Sequence, residues 1–411
     1  MLQFIYYFFF SLTFFYGMYY LILGFAGFIK PKRFQIKPYL PQKKFAVIIA
    51  ARNEGMVIGN LVRSLMNSNY PSDLFEVDVF VNNTTDDTAE QAKKAGANVY
   101  MVEKEVHTKG EVLNYAFDLL KPRKDIDGYI IFDADNVVHS DFIARMNDTL
   151  CTGYRVAEGN RDSKNMSDNW ISGSYTLYYY MQNFFFNKSR MSLGSSSSIN
   201  GTGFMIAKEK IDTEGFPVKT LTEDIEYTAI CSLQDEPIAF VEGATTYDEQ
   251  PRDFVSSWKQ RRRWSVGCLQ CCHEYNWKLL KHWLKTGNQA SLDMMFNFSA
   301  CIVQLICLCE FIALILFRIY NIPLYDVFST IFSSGALFLL FSYVSGVIIS
   351  LFVLGYNKRD FRRVISGIAM FTIFILSWVP INISCLFRKN TKWDEIKHTR
   401  SVSTNEINLE K

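Results

Sequence analysis

Long apolar segments lie near both ends of the chain. Residues 2–29, 327–356 and 364–387 carry no charge, and 294–317 contains a single charged residue, Glu310. As a helix rising about 1.5 Å per residue, each segment is long enough to cross about 30 Å of hydrocarbon. The pattern therefore predicts an N-terminal transmembrane helix at 1–29 and further transmembrane helices over 294–387.

Between these segments, short apolar runs alternate with amphipathic stretches. The runs 45–50, 77–81, 98–102 and 129–132 predict strands, and the stretches 57–66, 87–95 and 111–120 predict helices. Thr85 or Asp86 is the predicted N-cap of the second helix. Strands that alternate with helices imply right-handed crossovers. We therefore predict an α/β domain with a mostly parallel sheet over residues 45–290, with interfacial helices at its end.

Composition and charge indicate a multi-pass protein of the cell membrane with a cytoplasmic domain. Hydrophobic residues make up 49% and aromatic residues 16% of the 411 residues, which is high for a soluble protein. Basic residues follow the first apolar segment and recur at 357–363, so both regions are expected in the cytoplasm. Four simple spans would place the polar, partly basic tail 388–411 outside. Either one C-terminal segment is re-entrant or interfacial, or the count of spans is off by one.

Two further features of the composition do not indicate a binding function. The net charge of +2 gives no reason to expect a nucleic-acid partner, and basic flanks beside a membrane explain the lysines more simply. Cys268, Cys271 and Cys272 lie close together, but no second pair of ligands follows at a spacing typical of zinc sites. In a reducing cytoplasm these cysteines are expected to remain thiols.

Polar side chains follow several predicted strands, at the edge where open α/β sheets bind their ligands. Glu54, Asn82 and Asp133 all fall there. In a regular strand, Asp133 and Asp135 point to the same face, so their carboxylates would converge on one hard cation such as Mg²⁺ or Mn²⁺. A solvated turn is the alternative, because an isolated D-x-D pattern has little specificity.

A second acidic motif, Thr222-Glu223-Asp224, offers two adjacent carboxylates. A carboxylate within hydrogen-bond reach of an attacking hydroxyl acts as a general base. The same residues also fit a helix start, with Thr222 as the N-cap and Glu223 as the first helical residue. The two interpretations are compatible, since a base at the start of a helix is held rigidly.

Basic side chains that fit an anionic substrate come from two places. The run 260–264, Gln-Arg-Arg-Arg-Trp, which we call the pentad, precedes the second apolar segment. Lys109 lies between the third strand and the next helix. Arginines suit a pyrophosphate and Trp264 suits a sugar ring. The alternatives are an interfacial basic helix face for the run, with Trp264 in the aromatic belt, and a surface loop for Lys109.

Taken in this order, these residues resemble the membrane-bound family 2 glycosyltransferases with a GT-A fold. Cellulose, chitin, hyaluronan and poly-N-acetylglucosamine synthases are its familiar members. The resemblance covers about residues 45–270. The ordered set D-x-D, T-E-D and Q-x-x-R-W is specific, although each part alone is not.

The resemblance implies roles for five charged residues. Asp133 and Asp135 would hold Mg²⁺ or Mn²⁺ and the nucleotide diphosphate. Lys109 lies in a segment similar to the family's H-x-K motif and would contact the diphosphate. Asp224 would deprotonate the acceptor hydroxyl, and Glu223 beside it is a further substrate-binding candidate. The displacement would be inverting, so an α-linked nucleotide sugar would give a β-linked product.

Further positions match the family's motifs or depart from them. Asn53 and Glu54 match its N-E pair, while Asn82 replaces an aspartate that often recognises uracil. A UDP-sugar is still the expected donor, because asparagine both donates and accepts hydrogen bonds. Arg52 stands where tyrosine is common and is able to stack on a base. The positions of the Q-x-x-R-W motif are Gln260, Arg263 and Trp264, which leaves Arg261 and Arg262 to serve the interface.

The resemblance favours a metal-dependent hexosyltransferase that builds a β-linked polysaccharide at the membrane. The alternative is a transferase that adds one or a few sugars to a membrane lipid, because glucosyltransferases that act on ceramide and diacylglycerol resemble the same family. A catalytically silent subunit or transporter is a third hypothesis, and the filled metal, base and pentad positions argue against it.

Overall fold

A computed structural model describes residues 2–29, 36–322 and 335–387 of the chain. Three features of the sequence lie outside these ranges: most of the basic residues after the first apolar segment, the start of the 327–356 segment, and the tail 388–411. The helices are Leu2–Phe25 (α1), Ile58–Met66 (α2), Thr88–Lys94 (α3), Lys109–Leu120 (α4), Phe142–Thr152 (α5), Trp170–Met181 (α6), Ser189–Ser192 (α7), Lys208–Glu214 (α8), Glu223–Leu233 (α9), Phe254–Thr286 (α10), Gln289–Ile319 (α11), Gly335–Tyr356 (α12), Ile365–Leu376 (α13) and Trp378–Phe387 (α14). The strands are Phe45–Ala51 (β1), Phe75–Val81 (β2), Asn98–Met101 (β3), Gly128–Asp133 (β4), Val137–Val138 (β5), Val156–Ser163 (β6), Phe204–Ala207 (β7) and Ile238–Asp248 (β8).

In the described part of the chain, eight strands form one sheet in the order β3-β2-β1-β4-β7-β6-β8-β5. Strands β1 to β4 pair in parallel, and β6 pairs in parallel with β8. Strand β7 is antiparallel to β4 and β6, and β5 is antiparallel to β8. The predicted α/β domain with a mostly parallel sheet is therefore confirmed.

Burial on both faces explains why the strands are continuous apolar runs. Along β1, Phe45, Val47 and Ile49 pack into one core with α2, whereas Ala46 and Ile48 pack into a second core with α4. Neighbouring residues of a strand point to opposite faces, so a strand between two helical layers has no polar side. This two-sided core fixes the strand register that brings the polar strand ends together.

The predicted N-caps of α3 were wrong. The helix begins at Thr88 with Asp87 at the N-cap position, and the Asp87 side chain makes no capping hydrogen bond. The Asp86 carboxylate instead accepts hydrogen bonds from the backbone N–H groups of Thr88 and Gly55, each at 3.0 Å. Asp86 therefore ties the loop after β1 to the loop after β2.

The described residues contain four helical segments long and apolar enough to cross a membrane: Gln3–Phe28, Gln289–Ile319, Leu339–Tyr356 and Phe361–Cys385. Helix α10 is different, because it is a 33-residue amphipathic helix, about 50 Å long, that packs against α11. The loop between α12 and α13 contacts the sheet domain, where Arg359 pairs with Asp162. That loop and the sheet therefore lie on the same side of any membrane.

The fourth apolar segment is not one continuous helix. It is interrupted at Ser377, between α13 and α14. Pro380 lies in the first turn of α14, and it has no backbone N–H and would clash with the carbonyl of a residue four positions earlier. The segment still counts among those long and apolar enough to cross a membrane, and the tail lies outside the described residues, so the number of spans and the side of the tail stay predictions.

A close backbone contact joins α13 to α6 of the sheet domain. A Cβ atom added to Gly367 would lie 2.8 Å from the carbonyl carbon of Gly173, and one added to Gly173 would lie 3.1 Å from the Cα of Gly367. Backbone atoms at this distance have no room to move aside. Two glycines therefore set how closely the C-terminal helices approach the sheet domain.

We expect Gly367→Ala to destabilise the protein by about 1–3 kcal/mol, the usual cost of overpacking. The matched control is Gly355→Ala in α12, where an added Cβ meets no atom within 4 Å. Alanine favours the helix over glycine, so the control should be neutral or stabilising. Thermal unfolding in detergent measures both variants. Equal melting temperatures for the two would show that the Gly173–Gly367 contact carries no packing constraint.

Candidate active site

A cavity of about 650 Å³ opens where the carboxyl ends of the strands meet the apolar helices. Most of the predicted site residues line it: Glu54, Lys109, Asp133, Asp135, Glu223, Asp224, Gln260, Arg263 and Trp264. Asn53 and Asn82 do not line it. The remaining walls come from α1, α6, α11, α13 and α14, so the cavity is shared between the sheet domain and the apolar helices.

Lys109 lies at the centre of the charged part of this cavity. Its Nζ is 2.5 Å from Asp133 Oδ1 and 3.6 Å from Glu223 Oε1, and it donates a hydrogen bond to the Gly201 carbonyl at 2.5 Å. Only 12% of the lysine side chain is exposed. One ammonium group therefore holds together three segments that are distant in the sequence.

Local sequence explains how Lys109 reaches this position. Thr108 is the N-cap of α4 and accepts a hydrogen bond from the N–H of Glu111, whose carboxylate accepts one from the N–H of His107. These reciprocal bonds fix the start of the helix. A Cβ on Gly110 would lie 2.8 Å from a methyl group of Val218 and 3.4 Å from Glu223 Cβ. The glycine thus lets α4 approach the start of α9.

The D-x-D motif has a different geometry from the one predicted. Strand β4 ends at Asp133, whose backbone N–H donates to Thr202 Oγ1 at 2.9 Å, and Ala134 and Asp135 lie in the following turn. The argument from a regular strand was therefore wrong for Asp135. Both carboxylates nevertheless line the cavity.

The donor set fits a hard divalent cation only in part. The two carboxylates provide oxygen ligands, which Mg²⁺ and Mn²⁺ prefer. Among the described residues, no group of three or more His, Cys, Asp or Glu side chains is placed to hold a metal ion. A cation at Asp133 and Asp135 would therefore need further oxygen ligands, such as those of a substrate phosphate.

Helix α9 begins at Glu223, as predicted, but Thr222 does not cap it through its side chain. Thr222 Oγ1 is buried, and it has no hydrogen-bond partner in the part of the chain that the structure describes. A Cβ on Gly267 of α10 would lie 2.3 Å from this oxygen. Thr222 thus marks the contact at which α10 packs against the start of α9.

The loop before α9 is held by a buried carboxylate further along the helix. Glu226 accepts hydrogen bonds from the backbone N–H groups of Lys219 and Thr220, at 2.7 and 2.6 Å, and from Tyr275 of α10 at 2.8 Å. The position of Asp224 is limited from the other side by Gly201. A Cβ on that glycine, which has a φ of +93°, would lie 3.2 Å from Asp224 Oδ2.

Burial and charge shift the acid groups of the site in different directions. Burial works against ionisation of Asp133, but Lys109 outweighs it, and the pKa of the Asp133 carboxyl is lowered. Burial raises the pKa of Glu223 to about 7, with Lys109 opposing and Asp224 adding to the rise. Burial also raises the pKa of Asp224, against its backbone hydrogen bond and Lys109. Of these three groups, Asp133 is the one held ionised, whereas Glu223 and Asp224 bind protons more readily.

The side chains of the pentad lie in two different environments, which the sequence did not predict. Gln260, Arg263 and Trp264 line the cavity, and among the described residues the buried Gln260 Oε1 has no hydrogen-bond partner. Arg261 is fully buried, so the expectation that it serves the membrane interface was wrong. Its guanidinium donates to the Phe374 carbonyl at 3.0 Å and to Ser377 Oγ at 2.7 Å. Arg261 thereby bonds to the backbone at the break between α13 and α14.

The sequence interpretation missed residues on β6 and β8. Arg161 donates to Asp248 Oδ2 at 2.8 Å and to the Asn200 carbonyl at 2.6 Å, and its guanidinium lies 4.1 Å from the centre of the Tyr179 ring. Buried Lys164 donates to the carbonyl of Asp135. No local motif indicates these residues, because they reach the site only through the pairing of β6 with β8.

The two asparagines outside the cavity support its rim. Asn53 has a φ of +57°, and its Oδ1 accepts a hydrogen bond from the N–H of Thr85 at 2.9 Å. It therefore joins the loops after β1 and β2. Asn82 directly follows β2 and is buried, and its Oδ1 has no hydrogen-bond partner within the described residues. A role in reading a base stays a prediction for Asn82.

Comparison with known proteins gives consistent results. Residues 41–267 match the family model described as glycosyltransferase like family 2, a range that contains every predicted site residue. The beta-monoglucosyldiacylglycerol synthase of Trichormus variabilis is 25% identical over 276 residues, which cover 65% of this chain and 58% of that protein. The enzyme of the same name from Synechocystis is 25% identical over 269 residues, which cover 63% of this chain and 54% of that protein. The chain thus spans little more than half the length of these curated relatives.

A solved structure shows the same fold along nearly the whole chain. The mannosyltransferase of Pyrobaculum calidifontis, in complex with GDP-Man and Mn²⁺, superposes with a TM-score of 0.58. It is 14% identical, and the superposition covers 93% of this chain and 99% of that one. The GT-A-like fold is therefore confirmed, and the chain belongs to the family 2 glycosyltransferases.

Proposed function

We propose that this glycosyltransferase transfers a hexosyl group from a nucleoside-diphosphate sugar to the hydroxyl group of a membrane lipid. The observation that carries the proposal is the shared cavity. Asp133, Glu223 and Asp224 line the same space as residues of the apolar helices α11 and α14. A water-soluble acceptor has no need of a pocket walled by membrane helices, whereas a lipid reaches it from the bilayer.

The relatives favour the lipid over the polysaccharide that was the first prediction from the sequence. Two of them are named as synthases of a glucosylated diacylglycerol. Each match covers less than two thirds of the relative, so the acceptor of this chain is part of the proposal rather than an inherited property. Synthesis of a β-linked polymer is the competing outcome in the experiments below.

The donor would bind at the carboxyl edge of the sheet. Lys109, Arg161 and Arg263 surround this part of the cavity with positive charge, which suits a diphosphate. Gln260 lines the same cavity, and its amide group suits a sugar hydroxyl. A UDP-sugar stays the expected donor, with Asn82 and Arg52 as the candidates for contact with the base.

The residues suggest an inverting displacement with distinct roles. Asp224 accepts the proton of the lipid hydroxyl as that oxygen attacks the anomeric carbon. Lys109 and Arg263 stabilise the negative charge that grows on the departing diphosphate. Asp133 and Asp135 would hold a divalent cation, which when bound supplies further positive charge to the phosphates. The half-buried Trp264, stacked near Trp378, forms a wall of the acceptor side.

Membrane insertion and a cytoplasmic catalytic domain are also part of the proposal. The apolar helices support insertion, and the basic residues of the 357–363 loop support a cytoplasmic side for the domain that contacts it. A nucleotide-sugar donor from the cytoplasm would then meet a lipid from the adjacent leaflet.

We expect purified protein to release nucleotide from a nucleoside-diphosphate sugar only when lipid is added, with a chloroform-soluble labelled product. Several nucleotide sugars, with diacylglycerol or without lipid, are tested in the presence of Mg²⁺ or Mn²⁺, and a chelator should stop the reaction. A product of high molecular weight formed without added lipid would refute the lipid acceptor in favour of the polymer. No release from any donor would refute the transferase itself.

We expect Asp224→Asn to lower transfer by about 10²–10⁴-fold, the usual contribution of a general base, while donor binding is retained. The amide keeps the shape of the side chain but cannot accept the proton. Asp141→Asn is the control, since Asp141 occupies a helix N-cap position in α5 outside the cavity. Turnover in the Asp224 variant equal to that in the control would exclude Asp224 as the base.

The rate of transfer at saturating donor should rise with pH, with a midpoint above the ordinary aspartate range. Asp224 must be ionised to act, and burial raises its pKa, so it stays protonated to a higher pH than usual. Lys109→Met removes a cation that lowers the pKa of Asp133, Glu223 and Asp224, so it should move the midpoint further up. Lys44→Met, which removes an outlying ion pair, should leave it in place. An unchanged midpoint in the Lys109 variant would contradict the lowering of the carboxyl pKa values assigned to Lys109.

A further inference from the structure

A chain of neutral polar side chains crosses three helices at the membrane side of the cavity. Ser265 of α10 donates a hydrogen bond to Asn382 Oδ1 of α14 at 2.6 Å. Asn382 Nδ2 donates in turn to Gln304 Oε1 of α11 at 2.7 Å. Ser265, Asn382 and Gln304 all line the same cavity as the catalytic carboxylates. We name these three residues the amide relay.

A purely structural role does not fully explain where the amide relay lies. Gln304 and Asn382 belong to two of the segments able to cross a membrane. Amides in such segments are costly unless they are hydrogen-bonded, and they often mark a functional site. Ser265 and Asn382 are each 1% exposed, whereas Gln304 is only half-buried and reaches the open space.

The relay has a direction. Ser265 of α10 donates to Asn382, Asn382 donates to Gln304, and the carbonyl of Gln304 is thereby used. The group left at the end is the Gln304 amide N–H₂, which acts only as a donor and for which the described residues provide no acceptor. Because the chain of hydrogen bonds ends in an N–H donor, it favours a ligand with an oxygen atom that accepts a hydrogen bond.

The groups at the cavity match the groups of a glycerolipid. Asp224 and the relay line the same cavity, and about two turns after Gln304 the helix α11 exposes Ile312, Ile315 and Leu316. A diacylglycerol presents a free hydroxyl, then ester carbonyls, then acyl chains. The lining residues contributed by α11, α13 and α14 include no Lys or Arg, which suits a neutral lipid rather than a lipid phosphate.

We propose that Gln304, oriented by Asn382 and Ser265, donates a hydrogen bond to an ester carbonyl of the acceptor lipid and so determines specificity for acyl glycerolipids. This inference rests on the proposed lipid acceptor. Asn382 and Ser265 are positioning residues, and Gln304 is the residue that contacts the lipid.

The test compares a diester with a diether acceptor. Dioleoylglycerol and its dialkyl counterpart share the free hydroxyl and chain length, but only the diester has carbonyl oxygens. The KM for each lipid is measured with wild type, Gln304→Met and Ser299→Ala in detergent micelles at saturating donor. Ser299 is the matched control, because it accepts a hydrogen bond from Asn276 of α10 at 2.9 Å but does not line the cavity.

We expect wild type and Ser299→Ala to have a KM about threefold to tenfold lower for the diester, the range given by one net hydrogen bond. Gln304→Met should raise the KM for the diester to that for the diether, with the donor KM unchanged. A wild-type preference that persists in Gln304→Met would overturn the inference, and so would equal losses on both lipids. If Gln304→Met does not fold, Asn382→Leu, which frees Gln304 from its orienting bond, should reduce the preference in the same way.

The same measurement distinguishes failure of the proposed lipid acceptor from failure of the role proposed for Gln304. If wild type transfers sugar to neither lipid but forms a polymer, the proposed function fails and the inference fails with it. If wild type glycosylates both lipids equally well and the Gln304 variant does the same, the lipid acceptor stands and only the role of Gln304 is refuted.

Discussion

The structure depends on one ammonium group among several carboxylates. Asp133, Glu223 and Asp224 come from β4 and from the start of α9, and close together in a half-buried cavity they would repel one another. Lys109 bridges two of them and keeps Asp133 ionised against the cost of burial. Gly110 and Gly201 make this possible, since a side chain at either position would separate the segments that the lysine joins. The same arrangement is open to a diphosphate, which would offer the cation a more highly charged partner.

A second constraint comes from the membrane side. The C-terminal helices do not merely anchor the sheet domain, because α13 and α14 form walls of the cavity. Pro380 breaks the helix at this point, and the buried Arg261 bonds to the backbone and side chain at the break. The interruption next to Trp264 brings polar backbone and side-chain groups into an apolar segment, where a continuous helix would bond its own backbone internally. The pentad thus contributes Gln260, Arg263 and Trp264 to the cavity and, through Arg261, also holds the C-terminal helices against it.

Features that depend on a local sequence pattern were predicted from the sequence, whereas features that depend on tertiary contacts were missed. The first four strands, the helices between them and the carboxylates at the strand ends follow from short apolar runs and the polar residues that terminate them. Asp135 was assigned to the strand because two-residue spacing fits one, yet the strand ends at Asp133. Arg161, Lys164 and Asp248 were missed, since β6 and β8 meet across more than eighty residues of chain. Arg261 was assigned to the interface because a run of arginines gives no indication of which one faces the core. The motifs also could not predict the acceptor. They include residues for the donor and the base, but none from the apolar helices on the opposite wall of the cavity.

The central claim is that a membrane lipid enters the cavity between the sheet domain and the apolar helices. Photo-crosslinking with a diacylglycerol analogue, carrying a diazirine near its glycerol end, tests this directly. The account predicts adducts on the cavity-lining parts of α11 and α14, around Gln304 and Asn382, that disappear when excess unlabelled diacylglycerol is added. Adducts confined to the outward-facing residues of α1 and α11, such as Phe8 and Leu316, and insensitive to competition, would contradict it.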